Sequence, residues 1–431
     1  MESFKRKNIS EIKNIGFVST RFAGTDGVSL ETQKWATVLD EMGYRCFYFA
    51  GELDRPKSAA MLSPRAHFKH PVISQLNEFV FSHTERPEAI TDQIDGLKKE
   101  LKADLKEFIA RFDIELIIAE NVLAIPLNVP LGLALTEIVA ETSMPVVAHN
   151  HDFFWERKRF SINCVWDYLN KAFPPRHPHI RQVVINSEAR TQVALRRGVA
   201  AIIIPNIMDY EKPPALPDEY TADVRHALGI ADGEYFILQP TRVVQRKGIE
   251  HAIELIRRLS GRGVKAKLVI SHASGDEGDH YEHRVREYSD LLKVNTLFVS
   301  DIIGDTRGTT ANGRKIYSLR DVYPHADFVT YPSTYEGFGN AFLEAIYFKK
   351  PLLINNYSIY THDIKPKGFK VVEIDDYITE EAVSAVETLL KDRDLVREMT
   401  DYNYDLARRF YSYSMLRTKL RFLLSDFFGE E

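Results

Sequence analysis

The stretch from Val329 to Asn355, VTYPSTYEGFGNAFLEAIYFKKPLLIN, limits what this chain can fold into more than any other. It reads as a strand, a glycine turn, a helix and a second strand. Val329 and Tyr331 alternate as the end of a short strand. Pro332, Ser333 and Gly337 mark a turn after that strand. Gly337 and Gly339 let the backbone turn tightly and come close to a ligand. Asn340 to Tyr347 then reads as a helix with Phe342, Leu343 and Ile346 on its apolar face. Lys349 and Lys350 suit the negative end of that helix, and Pro351 stops it. Leu352 to Ile354 completes the unit as a buried strand, the order expected of a parallel α/β sheet.

A glycine turn that opens a helix leaves backbone N–H groups pointing outward, an arrangement suited to a phosphate or diphosphate. Two carboxylates flank it. Glu336 stands before the turn and Glu344 about two helical turns beyond. Carboxylates repel phosphate but accept hydrogen bonds from hydroxyls, so a sugar or ribose is their natural partner.

The run Glu336-Gly337-Phe338-Gly339-Asn340-Ala341-Phe342-Leu343-Glu344 resembles the paired-glutamate motif, with seven residues between, of retaining glycosyltransferases of family 4. The resemblance implies an α/β protein with the GT-B fold, two Rossmann-like domains whose parallel sheets face each other across a cleft. It implies transfer of a hexose from a nucleotide-sugar, GDP-mannose or UDP-glucose, to a hydroxyl of a small-molecule or glycan acceptor, with retention of anomeric configuration.

Composition fits this class. With 431 residues, 44% hydrophobic and 27% charged, the chain is long enough for two or three soluble domains. A net charge of −5, from 56 basic and 61 acidic residues, argues against general nucleic-acid binding. Cys46 and Cys164 are too few for a disulfide scaffold or a cysteine zinc site and suit a reducing, cytoplasmic setting. The start, MESFKRKNISEIKNIGF, shows no apolar signal region, and no apolar run reaches the roughly 18 residues of a membrane helix. Peripheral membrane contact and oligomeric state are left open.

In the first half, Asn14 to Ser19 reads as a strand, Thr20 to Ser29 as a glycine loop, Leu30 to Glu41 as a helix and Arg45 to Ala50 as a strand. The glycines do not form a dinucleotide fingerprint. Residues 86–112 form a long charged helix with Ile94, Leu97, Leu101, Leu105, Phe108 and Ile109 on one face. Ile114 to Ala119 is a strand and Leu131 to Glu141 a helix. The strand Pro145 to Ala148 delivers His149, Asn150, His151, Asp152 and Trp155 at its C-terminal end, where open α/β sheets bind ligands. One short segment rarely supplies a full metal-ligand set, so no metal site is expected. Val183 to Asn186 and Ile202 to Ile204 are further strands. The proline- and charge-rich segment Asp209 to Asp223 is the best domain boundary.

In the second half, the strand Tyr235 to Gln239 leads into Pro240-Thr241-Arg242-Val243-Val244-Gln245-Arg246-Lys247-Gly248 and then a helix from Ile249. An Arg and a Lys in such a loop can hold a diphosphate, one as a fork and the other as a point charge. Asp305 to Arg314 reads as an exposed loop, Ile316 to His325 as a helix, and 380–428 as helical with a break at Phe410 to Ser414.

Carried onto these positions, the resemblance implies an acceptor-side domain over 1–210, completed by a C-terminal helix from about 412 to 431. The nucleotide-sugar-binding domain spans 211–411. Arg242, Lys247, Phe338, Gly339, Asn340 and Glu344 are expected to bind the donor, and Gly27 to lie against its phosphates. Glu336, with Arg242 and Lys247, is expected to be catalytic. His149 or His151 is expected near the transferred sugar, with Asp152, Trp155 and Arg157 on the acceptor side. No cofactor beyond the nucleotide-sugar and no metal is expected. A nucleotide-sugar epimerase shares the fold but not this motif set. A non-catalytic binding protein would have lost a cation or a carboxylate, and neither is lost here.

Overall fold

The computed structural model describes residues 9–24, 27–274 and 278–429. Thr25 and Asp26 of the expected first glycine loop lie outside the described residues. The chain divides into two compact units, one of residues up to Ile207 and from Tyr413 onward, the other from Met208 to Ser412.

The first unit is built on a seven-stranded parallel sheet. Its strands are β1 (Asn14–Val18), β2 (Arg45–Ala50), β3 (Ala60–Leu62), β4 (Leu116–Glu120), β5 (Val146–Asn150), β6 (Ile180–Val184) and β7 (Ala201–Ile203). Their order is β3-β2-β1-β4-β5-β6-β7. Sheets of this kind are covered on both faces, so their strands read as continuous apolar runs. On one face pack the helices Gly27–Glu41 and Tyr413–Phe428, through Trp35, Leu39, Leu416, Leu420 and Leu424. On the other pack Glu88–Arg111 and Val129–Thr142, through Leu101, Leu105, Phe108, Leu131 and Leu135. All six residues assigned to the apolar face of the long charged helix are buried.

The second unit carries β8 (Tyr235–Gln239), β9 (Ala266–Ile270), β10 (Thr296–Phe298), β11 (Ile303–Gly304), β12 (Gly308–Thr309), β13 (Lys315–Ser318), β14 (Phe328–Tyr331), β15 (Leu352–Asn355) and β16 (Val372–Ile374). Its parallel sheet runs β10-β9-β8-β14-β15-β16, and β11-β13-β12 form a small separate sheet. In each main sheet the strand order reverses once, between β1 and β4 and between β8 and β14. Ligands of such sheets bind beyond the strand ends at these reversals.

The helix Arg393–Tyr411 of the second unit ends where Ser412 adopts extended backbone, and the helix Tyr413–Phe428 follows in the first unit. There Arg417 pairs with Glu41 at 2.5 Å.

Three local expectations are corrected. Ile316 to His325 does not begin as a helix, because Lys315–Ser318 pairs with both β11 and β12; a short helix, Leu319–Val322, follows. Asp305 to Arg314 is exposed as expected apart from the half-buried Thr310, but it is not wholly loop, since Gly308–Thr309 inside it pairs with β13 as a strand. His149 and Asn150 lie within β5 rather than after it, held by the ladder to β6. Among the described residues, no helix is long and apolar enough to cross a membrane.

Candidate active site

In the second unit, β8 and β14 are adjacent, so the loops that follow them meet. The first forms a tight turn, Gln245–Lys247, and passes into the helix Ile249–Gly261 through Gly248, whose φ is +57°. A Cβ on Gly248 would stand 2.4 Å from the carbonyl oxygen of Pro332. The backbone N–H of Thr334 donates to the Arg246 carbonyl at 2.9 Å. Gly248→Ala is therefore expected to cost about 1 kcal/mol or more, seen as a lower Tm by scanning calorimetry. An unchanged Tm would show that the two turns can separate freely.

This docking puts cations on a carboxylate. Lys247, buried, ion-pairs with Glu336 Oε1, and Arg246 Nη1 reaches Glu336 Oε2 at 3.3 Å. Burial pushes the Lys247 ammonium below its usual pKa, and Glu336 opposes that only in part. Arg242 is exposed and has no ion-pair partner among the described residues. Past β9, His272 accepts or donates at 2.7 Å to Ser271 Oγ, and burial followed by nearby Arg242 lowers its pKa.

The glycine turn then opens the helix Asn340–Tyr347. Gly339 has φ +127° and a Cβ there would stand 2.4 Å from the Tyr357 hydroxyl. It offers no capping side chain, the condition under which a helix N-terminus can serve an anion. Glu344 is partly exposed on that helix and accepts from the Tyr323 hydroxyl at 3.1 Å. Phe338 does not present its ring to a ligand. The ring is buried edge-on against Tyr411, with centroids 5.4 Å apart, while its carbonyl accepts from Tyr357 at 2.7 Å. Flanking glycines let the backbone turn outward while this aromatic turns in.

In the first unit, β4 and β5 bring Glu120 and His149 into register. His149 and His151 alternate onto one side, as strand geometry requires. Glu120, buried, hydrogen-bonds His149 Nδ1 through Oε1 at 3.1 Å and His151 Nε2 through Oε2 at 3.2 Å. Burial would raise the Glu120 pKa, but the two imidazoles outweigh it and hold the carboxyl down at about 2. Burial lowers His149 despite Glu120, whereas at His151 the Glu120 hydrogen bond overcomes burial and raises it. Trp35 stacks on His149 with centroids 4.2 Å apart. Among the described residues this trio is the one group of metal-ligand type atoms gathered within 4.8 Å. Its carboxylate already bridges both rings by hydrogen bonds.

Asp152 accepts from Asn121 Nδ2 at 3.2 Å and from Arg157 Nε at 2.5 Å, so these two expected acceptor-side residues hold each other. Trp155 donates Nε1 to Gln192 at 2.6 Å and stacks on Phe153. Gly27 is the first residue of the helix Gly27–Glu41. Sequence reasoning missed Arg246, His272 and Glu120. Adjacency to Lys247 was the signal for Arg246, whereas Glu120 requires knowing that β4 neighbours β5.

The chain matches the family profile described as Glycosyl transferases group 1 over residues 313–406. It is 31% identical over 433 aligned positions to the mannosylglucosylglycerate synthase of Thermotoga maritima, covering 93% of this chain and 97% of that protein. The chain belongs to the group 1 glycosyl transferases. A second member of the family, the mannosylglucosylglycerate synthase of Petrotoga mobilis, is 31% identical over 84% of this chain and 86% of its own. Among solved structures, a glycosyltransferase from Rickettsia africae aligns with a TM-score of 0.69 at 13% identity, covering 98% of this chain and 100% of that one. Anabaena HepE in complex with UDP-glucose aligns with a TM-score of 0.62 at 13% identity, covering 96% and 99%. The two sheets are those of the GT-B fold, and this group 1 glycosyl transferase is an enzyme of that class.

Proposed function

We propose that this glycosyltransferase moves a mannosyl group from GDP-mannose to a hydroxyl of glucosylglycerate, with retention. One observation carries the chemistry: Lys247 and Arg246 pair with Glu336, Arg242 lies close enough to Lys247 to bear on it electrostatically, and the helix Asn340–Tyr347 that follows Glu336 starts without a capping side chain. A leaving nucleoside diphosphate gains charge as its bond to the sugar breaks. Donors already aimed at it stabilise that charge in the transition state. Arg242 and Lys247 supply two of them, and the backbone at Gly339 and Asn340 a third. Glu336 holds hydroxyls of the sugar that becomes cationic, and Glu344 holds the ribose. The acceptor hydroxyl enters on the face the diphosphate leaves, and its proton passes to a departing phosphate oxygen.

The shared name of the two relatives supports the specificity. A mannosylglucosylglycerate is completed by adding mannose to glucosylglycerate. Of the two donors expected from sequence, GDP-mannose fits that product.

A donor panel tests this reading. GDP-mannose at about 100 times its dissociation constant should add roughly 2.7 kcal/mol of stability in a thermal-shift assay. Release of GDP should then require glucosylglycerate. Stabilisation and turnover with UDP-glucose, but not GDP-mannose, would overturn the donor assignment. Two guanidinium or ammonium groups serve the diphosphate here, so turnover is expected to survive EDTA. Complete loss in EDTA, restored by Mg²⁺ or Mn²⁺, would contradict that.

A further inference from the structure

Glu120 has no role in the proposed transfer, yet it is a buried carboxylate that both histidines of the β5 end share. The shared contact fixes more than position. A neutral imidazole that donates Nδ1–H to a carboxylate must leave Nε2 as a bare acceptor. The hydrogen bond of one ring nitrogen thus decides what the other can do. For His149 the other nitrogen is Nε2, and for His151 it is Nδ1. Neither has a hydrogen-bond partner among the described residues.

We propose that Glu120 is a positioning residue for the carbohydrate side of the reaction. Its one carboxylate sets the tautomer of His149, so that Nε2 accepts from a sugar hydroxyl, and aims the ring of His151 beside it. The role in turnover rests on the proposed transfer reaction; the tautomer does not.

The surroundings agree with this arrangement. Trp35 covers one face of His149, which restricts the ring to sliding in its own plane. His151 is fixed from its backbone as well, because its N–H donates to Asn121 Oδ1 at 2.8 Å. The side chain of His151 is a tenth exposed, whereas that of Glu120 is fully covered. A ligand therefore meets His151 before His149, whose side chain is 1% exposed, and does not meet the carboxylate. Three other charged groups bear on the pair. Glu31, on the helix Gly27–Glu41, raises both imidazoles electrostatically and keeps a buried Oε2 without a hydrogen-bond partner. Lys34 pairs with the other oxygen of Glu31 at 2.5 Å. Asp152 raises His151 and is itself neutralised by Arg157. With Glu120 ionised, the two shifts run in opposite directions, His149 towards the neutral form and His151 towards the protonated one.

Two-bond ¹H–¹⁵N correlation spectra of histidine-labelled full-length protein test this, with His149→Gln and His151→Gln spectra assigning the signals. His149 is expected as the Nδ1–H tautomer, titrating below 6.5, and His151 above 6.5. Glu120→Gln should bring the His151 titration down. It should also lower kcat/KM for the acceptor by about tenfold or more, since misplacing a positioning group is costly. GDP binding, which falls to the second unit, should be unchanged, and a near-UV circular dichroism spectrum like that of the wild type shows that the first unit, which holds Glu120, is folded. A His149 found as the Nε2–H tautomer in the wild-type protein would overturn the proposal, and that measurement needs no variant to fold. Wild-type acceptor kinetics in Glu120→Gln would overturn it too, as would one zinc ion per chain in the purified protein, because the ring nitrogens would then be ligands. If wild-type protein fails to turn over glucosylglycerate, the transfer reading falls and the tautomer result still stands or fails alone.

Discussion

Lys247→Ala is expected to lower kcat/KM at least about a hundredfold, roughly 2.7 kcal/mol of transition-state stabilisation. The ammonium of Lys247 is buried against Glu336 and pairs with no other acid among the described residues. A cation held in such a site is worth more to a developing charge than one in water, because solvent does not screen it. Its burial also lowers its pKa, so some of its effect should fade as pH rises through that lowered value. Arg242→Ala should cost as much. That guanidinium is exposed and unpaired among the described residues, so it has no structural duty to lose. The two variants differ in a second readout. Lys247→Ala leaves Glu336 facing Arg246 alone and should lower Tm, whereas Arg242→Ala should not. Steady-state kinetics with each within threefold of wild type would refute the diphosphate assignment.

Glu336 and Glu344 are expected to fail in different ways. Glu344 sits on the helix Asn340–Tyr347, partly open to solvent and bonded to Tyr323. If it holds the ribose, its contacts exist in ground state and transition state alike. Glu344→Gln should then raise the donor KM by about tenfold with a smaller fall in kcat. In the proposed transfer Glu336 faces the sugar that becomes cationic, and it also pairs with Lys247 and Arg246. Glu336→Gln should mainly lower kcat. It should also push the Lys247 pKa further down, since Glu336 is the group that raises it, so the defect should deepen at higher pH. The reverse split would mean that ribose and sugar are exchanged. Small, equal effects would mean that both carboxylates are only structural.

Much of this was legible because parallel α/β sheets write themselves plainly. The helix of residues 340–347 and the strands on either side appear where apolar spacing and glycine punctuation put them. The break at Ser412 follows from the Phe410 to Ser414 interruption. What sequence could not reveal was strand order. Glu336 meets Arg246 and Lys247, some 90 positions away, only because β14 lies beside β8. Glu120 meets two histidines about 30 positions away for the same reason, with β4 beside β5. The inward ring of Phe338 was illegible because an aromatic between glycines reads the same whichever way it turns. The small sheet of β11 to β13 was missed because strands of two to four residues carry almost no periodicity.

The most direct test is the product itself. The protein, GDP-mannose and glucosylglycerate should release one GDP for each disaccharide formed. The proton NMR spectrum of that product should show an α-mannosyl linkage, the configuration of the donor. A β-mannosyl linkage would contradict transfer with departure and entry on one face. GDP release with free mannose as the lasting product, unaltered by glucosylglycerate, would contradict transfer altogether.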